Sequence, residues 1–269
     1  MPTEMRLALA QLDVEAAAVD ANLDRAEAAV WEAAAEGADL VALPELFDVG
    51  FFAFEAYHRA AEGLDGEKLT RMREVAADAG VAVLAGSVVE DLAESEGGPA
   101  DDGLANTSVL FDAAGERRLV YRKHHLFGYE SAEAELLVPG ESVPTADLLG
   151  FTVATTTCYD LRFPELYRDL ADDGVDLVLV PSAWPYPRVE HWTLLPKARA
   201  VENLAYVAAV NGASDFGDDA LVGRSTVYDP WGTTLAGTGA DPTIVYADLD
   251  PERPASVREE FPALRDRRR

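Results

Sequence analysis

Apolar positions follow two periods in turn along this chain. Residues 6–12 (RLALAQL), 39–45 (DLVALPE), 81–89 (VAVLAGSVV), 151–157 (FTVATTT), 176–182 (DLVLVPS) and 205–212 (AYVAAVNG) are short, nearly continuous apolar runs, which predicts buried strands. Between them the spacing changes to that of a helix. Leu23, Ala26, Val30 and Ala34 share one face of residues 21–37, and residues 66–80, 164–172 and 190–203 read the same way; Gly37 and Gly80 act as stops and Pro164 suits a first turn. Residues 104–123 form two strands around the turn DAAG, and residues 220–237 form a hairpin turning at Asp229-Pro230-Trp231-Gly232. Residues 94–103 (ESEGGPADDG) read as a surface loop, and residues 240–249 as a closing strand. No fixed-period repeat is visible, and no low-complexity linker divides the two halves. The pattern predicts a single domain over residues 1–269 of α/β layers, with two sheets packed on each other, helices outside and a short Arg-rich tail at 265–269.

Charge narrows the partners. The 269 residues carry 49 acidic and 22 basic side chains, a formal net charge of −27. Such a field repels phosphate backbones and anionic headgroups, so neither nucleic acid nor a membrane surface is expected as a partner. Only Lys68, Lys123 and Lys197 are lysines, and acid is spread through every segment, a composition expected of a protein from a salt-rich cytoplasm. No apolar stretch reaches the length of a membrane span, and MPTEMRLALAQLD lacks a signal-peptide layout, so a cytoplasmic location is expected.

Cys158 is the sole cysteine, which excludes an internal disulfide and leaves packing or chemistry to explain it. Ligands of α/β sheets gather beyond the carboxyl ends of strands, and three unlike groups fall there: Glu45 after DLVAL, Lys123 after LVYR and Cys158 after FTVATTT. Each alone has an ordinary structural reading as solvated loop acid, surface charge or buried hydrophobe. Together they make an acyl-transfer set that uses no histidine. A thiol at a strand-to-helix corner near an ammonium ion is expected to have a lowered pKa. Glu45, against a wall of Phe47, Phe51 and Phe52, is expected to be raised toward neutrality as a general base. Lys123 and the backbone N–H of Tyr159 would hold an oxyanion.

PEL at 44–46, YRKHHLF at 121–127 and CYDLRFPEL at 158–166 resemble the three signature segments of the nitrilase superfamily, the carbon-nitrogen hydrolases, in their order and separations. HWTLLPKARAVEN (191–203), GRSTVYDPWG (223–232) and FPALRDRR (261–268) extend the resemblance from about residue 5 to the end. It implies a four-layer αββα sandwich, homodimeric or larger, with Glu45 as base, Lys123 as transition-state stabiliser and Cys158 as nucleophile. A second glutamate of the family positions the lysine; Glu130, Glu133 and Glu135 fall in its window, and Glu133 has the family's spacing to Pro139-Gly140. Arg162, Trp184 and Tyr186 are candidate pocket residues, although Arg162 could instead pair with Asp160 or Glu165.

The scheme needs no metal or organic cofactor. Adjacent His124 and His125 should face opposite ways in extended chain, and no HExxH, Walker A, GxGxxG or GxSxG segment occurs. CYDLRFPE is most similar to the ω-amidase and deaminated-glutathione-amidase branch, which implies a small linear amide substrate. A nitrilase or carbamoyl-amine hydrolase would use the same triad, and a catalytically silent binding member of the fold would have kept the apolar pattern without needing all three groups.

Overall fold

The computed structural model describes residues 4–217 and 219–268. Its first half runs β1 (Met5–Gln11), α1 (Val19–Ala35), β2 (Leu40–Ala42), α2 (Tyr57–Ala60), α3 (Glu67–Ala79), β3 (Ala82–Asp91), β4 (Leu104–Phe111), β5 (Arg117–Arg122) and α4 (Glu133–Leu136). The second half runs β6 (Thr145–Leu148), β7 (Phe151–Thr155), α5 (Pro164–Asp172), β8 (Leu177–Ser182), α6 (Val189–Asn203), β9 (Tyr206–Asn211), β10 (Thr226–Tyr228) and β11 (Thr234–Gly237). Strand β12 (Thr243–Leu249) then returns to the first sheet, and α7 (Arg253–Glu260) follows.

Two six-stranded sheets result, with strand orders β12-β1-β2-β3-β4-β5 and β11-β10-β9-β8-β7-β6. The period of two explains how they stack, because alternate residues of one strand face opposite sides of its sheet. Leu7 and Leu9 of β1, Leu84 of β3 and Leu110 of β4 point inward with Val153, Leu177, Leu179 and Ala208 of the other sheet, forming a dry layer between sheets. Ala8, Ala10, Val41 and Val83 point the other way, under Leu23, Ala26, Val30, Leu69 and Met72 of α1 and α3. Ala154, Val178, Val180 and Val207 likewise meet Leu166, Leu170 and Trp192 of α5 and α6. The layers are therefore helix, sheet, sheet, helix.

Strand direction places the site. β2 is parallel to β3, β3 antiparallel to β4, and β4 antiparallel to β5, so β2 and β5 end at the same edge although two strands lie between them. The β3 register breaks between Ala85 and Val88. At that break a Cβ on Gly86 would lie 2.1 Å from the carbonyl oxygens of Leu43 and Pro44, so only glycine lets the chain after β2 cross over β3 there. This crossing ends β2 at Ala42, one residue before the end at Leu43 that DLVAL and Pro44 predict.

The Arg-rich tail reaches α5. Arg267 pairs with Asp172 of α5, while Arg269 lies outside the described residues. Among the described residues no helix is long and apolar enough to cross a membrane.

Candidate active site

Glu45, Lys123, Glu133 and Cys158 meet at the edge where β2, β5 and β7 end. Glu45 follows the crossing at Gly86, and Leu46 beside it has φ +47° with its N–H held by Ser87 Oγ at 2.9 Å. Lys123 extends the β4–β5 ladder by one rung, its N–H bonded to the Asn106 carbonyl at 2.8 Å. Its own carbonyl accepts from Gly140 N–H at 2.9 Å, and a Cβ on Gly140 would lie 2.1 Å from the Arg122 carbonyl oxygen. This is how the Pro139-Gly140 turn sets α4, and with it Glu133, against the lysine. Cys158 opens a 3₁₀ turn over Cys158–Arg162 and sits at φ +48°, a left-handed conformation uncommon outside glycine.

All four side chains are buried: Glu45 and Lys123 are 2% and 1% exposed, Glu133 0% and Cys158 8%. Lys123 Nζ donates to Glu45 Oε1 at 2.7 Å and to both oxygens of Glu133 at 2.8 and 2.9 Å. Phe127 N–H donates to Glu133 Oε2 at 2.7 Å. Glu45 Oε2 accepts from Ala183 N–H, just past β8 in the opposite sheet, at 2.8 Å. The ammonium is thus a cation between two carboxylates, and burial, which alone would lower its pKa, is overcome by the charges of Glu133 and Glu45; the net direction is upward. Glu133 is raised, first by burial, with Lys123 opposing and Glu45 adding.

Cys158 departs from expectation. Burial, and next the charge of Glu45, push its thiol well above the ordinary value, while Lys123 and the Ala183 N–H pull more weakly downward. The lowering expected from the strand-to-helix corner is outweighed because the turn is only five residues long and the sulfur is desolvated. The resting group is a thiol, so attack requires a proton acceptor, and Glu45 is the carboxylate that interacts with it.

A narrow cavity opens onto this cluster, lined by Phe51, Phe127, Tyr159, Arg162, Trp184 and Arg188 together with Lys123 and Cys158. Of the expected aromatic wall only Phe51 is here, its ring centroid 5.5 Å from Lys123 Nζ. Phe47 packs beneath the sheet with α1 and α3, and Phe52 stacks edge-on with Phe51 and Phe216. Glu45 meets hydrogen-bond donors in place of that wall. Trp184 lines the cavity while Tyr186 is 43% exposed and does not. Arg162 lies over the rings of Trp184 and Tyr159 at 4.9 and 5.7 Å and contacts His191 Nδ1 at 3.2 Å. It pairs with neither Asp160 nor Glu165; burial lowers its pKa, and the nearby Arg188 adds to that. Among the described residues neither arginine enters an ion pair.

The structure brings Glu133, not Glu130 or Glu135, onto Lys123; the other two are exposed. His124 and His125 do not splay apart: their ring centroids are 4.8 Å apart, because the chain has left the strand by then. Among the described residues no group of three or more His, Cys, Asp or Glu is arranged to hold a metal ion.

Three residues escaped sequence reasoning. Asn106 Nδ2 donates to Glu45 Oε1 at 2.9 Å and Glu133 Oε1 at 3.1 Å, bridging two carboxylates that would otherwise repel. In ANTSVLF it reads as the polar member of a strand, and nothing local distinguishes it. Arg188 lies in a connecting loop, and Asp160 was visible only as a partner for Arg162.

Residues 6–259 match the family described as Carbon-nitrogen hydrolase. The chain is 37% identical over 273 residues to omega-amidase NIT2 of Mus musculus, covering 98% of this chain and 95% of that one. It is 36% identical over 235 residues to 2-oxoglutaramate amidase of Paenarthrobacter nicotinovorans, covering 86% and 79%. Its fold matches a solved amidase from Nesterenkonia sp. with a TM-score of 0.84 and 30% identity, covering 99% of this chain and 95% of that one. That structure is of a Glu-to-Gln mutant showing covalent addition of the acetamide moiety of fluoroacetamide at its active-site cysteine. With the layer order, the strand ends and the cluster they bring together, this match over nearly the whole length makes the chain a member of the carbon-nitrogen hydrolase family.

Proposed function

We propose that the protein hydrolyses a small linear amide whose far end carries a carboxylate, through a thioester on Cys158. The observation that carries this reading is the cluster of Cys158, Lys123, Glu45 and Glu133, of which Cys158 and Lys123 line a cavity that also holds two guanidiniums with no carboxylate partner among the described residues. The omega-amidase and 2-oxoglutaramate amidase relatives support the substrate class.

Cys158 Sγ attacks the amide carbon as its proton passes to Glu45. The carbonyl oxygen gains charge beside the Lys123 ammonium, which Glu45 and Glu133 hold in place, and beside the Tyr159 N–H. Collapse expels the nitrogen, which leaves as ammonia after taking the proton from Glu45. Water then gives a proton to Glu45 and attacks the thioester, releasing the acid and restoring the thiol. Lys123 and Asn106 both donate to Glu45 Oε1, while Oε2 accepts the Ala183 N–H and has its second lone pair for the proton.

An ammonia-release screen across monoamides of dicarboxylic acids, simple amides, ureido acids and nitriles tests the reading. Turnover is expected with the first group. Ammonia from nitriles or ureido acids alone would move the activity to another branch of the family. Loss of a charge-assisted contact corresponds to a factor of about 10 or more, so Arg162→Ala and Arg188→Ala should each raise KM for a carboxylate-bearing amide by about that factor. Propionamide turnover should change less than about threefold, since it lacks the charged end. Equal losses on both substrates would remove the carboxylate from the account.

A further inference from the structure

Beneath the nucleophile lies a carboxylate that the reaction scheme does not use. Asp160 is fully buried and accepts four hydrogen bonds, two at each oxygen. Oδ2 takes the N–H of Thr157 at 2.8 Å, the residue directly before Cys158, and the hydroxyl of Tyr121, two residues before Lys123. Oδ1 takes the N–H of His125 at 2.9 Å and His125 Nδ1 at 2.8 Å, two residues after Lys123. The Tyr121 oxygen also accepts from His124 N–H at 3.1 Å, and burial with the charge of Asp160 holds that phenol protonated. The His125 ring is stacked on Phe163, centroids 3.6 Å apart and 7° from parallel, so it is not free to turn away.

We propose that Asp160 is a positioning residue that sets the separation of the Lys123 ammonium and the Cys158 sulfur by binding the chain on both sides of the lysine to the elbow that carries the nucleophile. β5 and β7 belong to different sheets, so no ladder fixes the register between their ends. The backbone at Cys158 is left-handed and is held by the Thr157 contact immediately before it. A loosened tie lets the sulfur relax away from the lysine and Glu45. The inference rests on the acyl-transfer reading above and adds to it a residue that touches neither substrate nor the reacting atoms.

Asp160→Asn is a sharp test because all four partners present hydrogens. A carboxamide has one acceptor oxygen, so its NH₂ must face the N–H of either Thr157 or His125, and one side of the tie is lost whichever way it turns. Misplacement of reacting groups by about 1 Å costs on the order of 100-fold, so the acylation rate at saturating amide should fall by about that factor with KM within about threefold of wild type. Asp160→Glu keeps the charge but displaces the acceptors by a methylene, and should stay about 10-fold or more below wild type. Tyr121→Phe removes one tie and should cost about 3- to 10-fold in acylation. These losses should persist at 10 °C in protein shown by circular dichroism to be folded, where a loss caused by partial unfolding would recover. Folded Asp160→Asn protein that acylates within threefold of wild type would overturn the inference; if that variant does not fold, unchanged acylation in Tyr121→Phe does so. Either result with Cys158→Ala inactive would leave the acyl-transfer reading standing, whereas an active Cys158→Ala would end both.

Discussion

Cys158→Ala is expected to lose amide hydrolysis by a factor of about 10⁴ or more while folding as the wild type does. The size of the loss follows from the chemistry: without sulfur there is no covalent intermediate, and the remaining donors can only polarise a substrate toward bulk water. Retention of the fold follows from geometry. The left-handed backbone at φ +48° is already occupied by a residue with a Cβ, so alanine adds no strain, and the deleted sulfur borders an existing cavity. Ammonia release paired with a thermal melt reads both halves of the expectation. Turnover near wild type would assign the nucleophile elsewhere.

Lys123→Met should cost about 100-fold or more in turnover, the usual effect of removing an oxyanion donor. The larger consequence is electrostatic. Glu45 and Glu133 share this single ammonium, with side chains that expose nothing to solvent. Without it two buried carboxylates face each other across Asn106, and removing one partner of a buried pair costs about 3–5 kcal/mol. One carboxyl will relieve this by taking a proton, and if that is Glu45 the base is lost along with the oxyanion donor. The double variant Lys123→Met, Glu133→Gln separates the effects. It removes a buried charge with each change and should melt above Lys123→Met alone, yet turnover should not return. A double variant that regains activity would show the lysine to be structural ballast for Glu133.

Much of this architecture was legible because it obeys a period of two. Leu7 and Leu9 alternate with Ala8 and Ala10, and each set fills a different side of its sheet. Elements without such a signal escaped. β6 reads TADL, α2 and α4 have four residues each, and α7 (RPASVREE) buries only Pro254 and Val257. Pro44 marked the end of β2 to within one residue, but the crossing over Gly86 that follows it was not legible, because it depends on a neighbour about 40 residues away. Three of the clustered side chains were legible because they follow strands, whereas Glu133 came from the family resemblance, through its spacing to Pro139-Gly140. Their electrostatics were not: the state of the thiol depends on burial and on Glu45, both products of the whole fold. The roles of Asn106 and Asp160 stayed hidden for a related reason. Their importance lies in partners 27 to 61 residues away for the first and up to 39 for the second.

The account turns on a covalent bond between substrate carbon and the Cys158 sulfur. Protein quenched in acid during turnover of a dicarboxylic monoamide, then digested and weighed, should carry the acyl group on the peptide containing Cys158. The adduct should decay as free acid accumulates. Sustained hydrolysis with that peptide always unmodified, or with the acyl group on another residue, would contradict it.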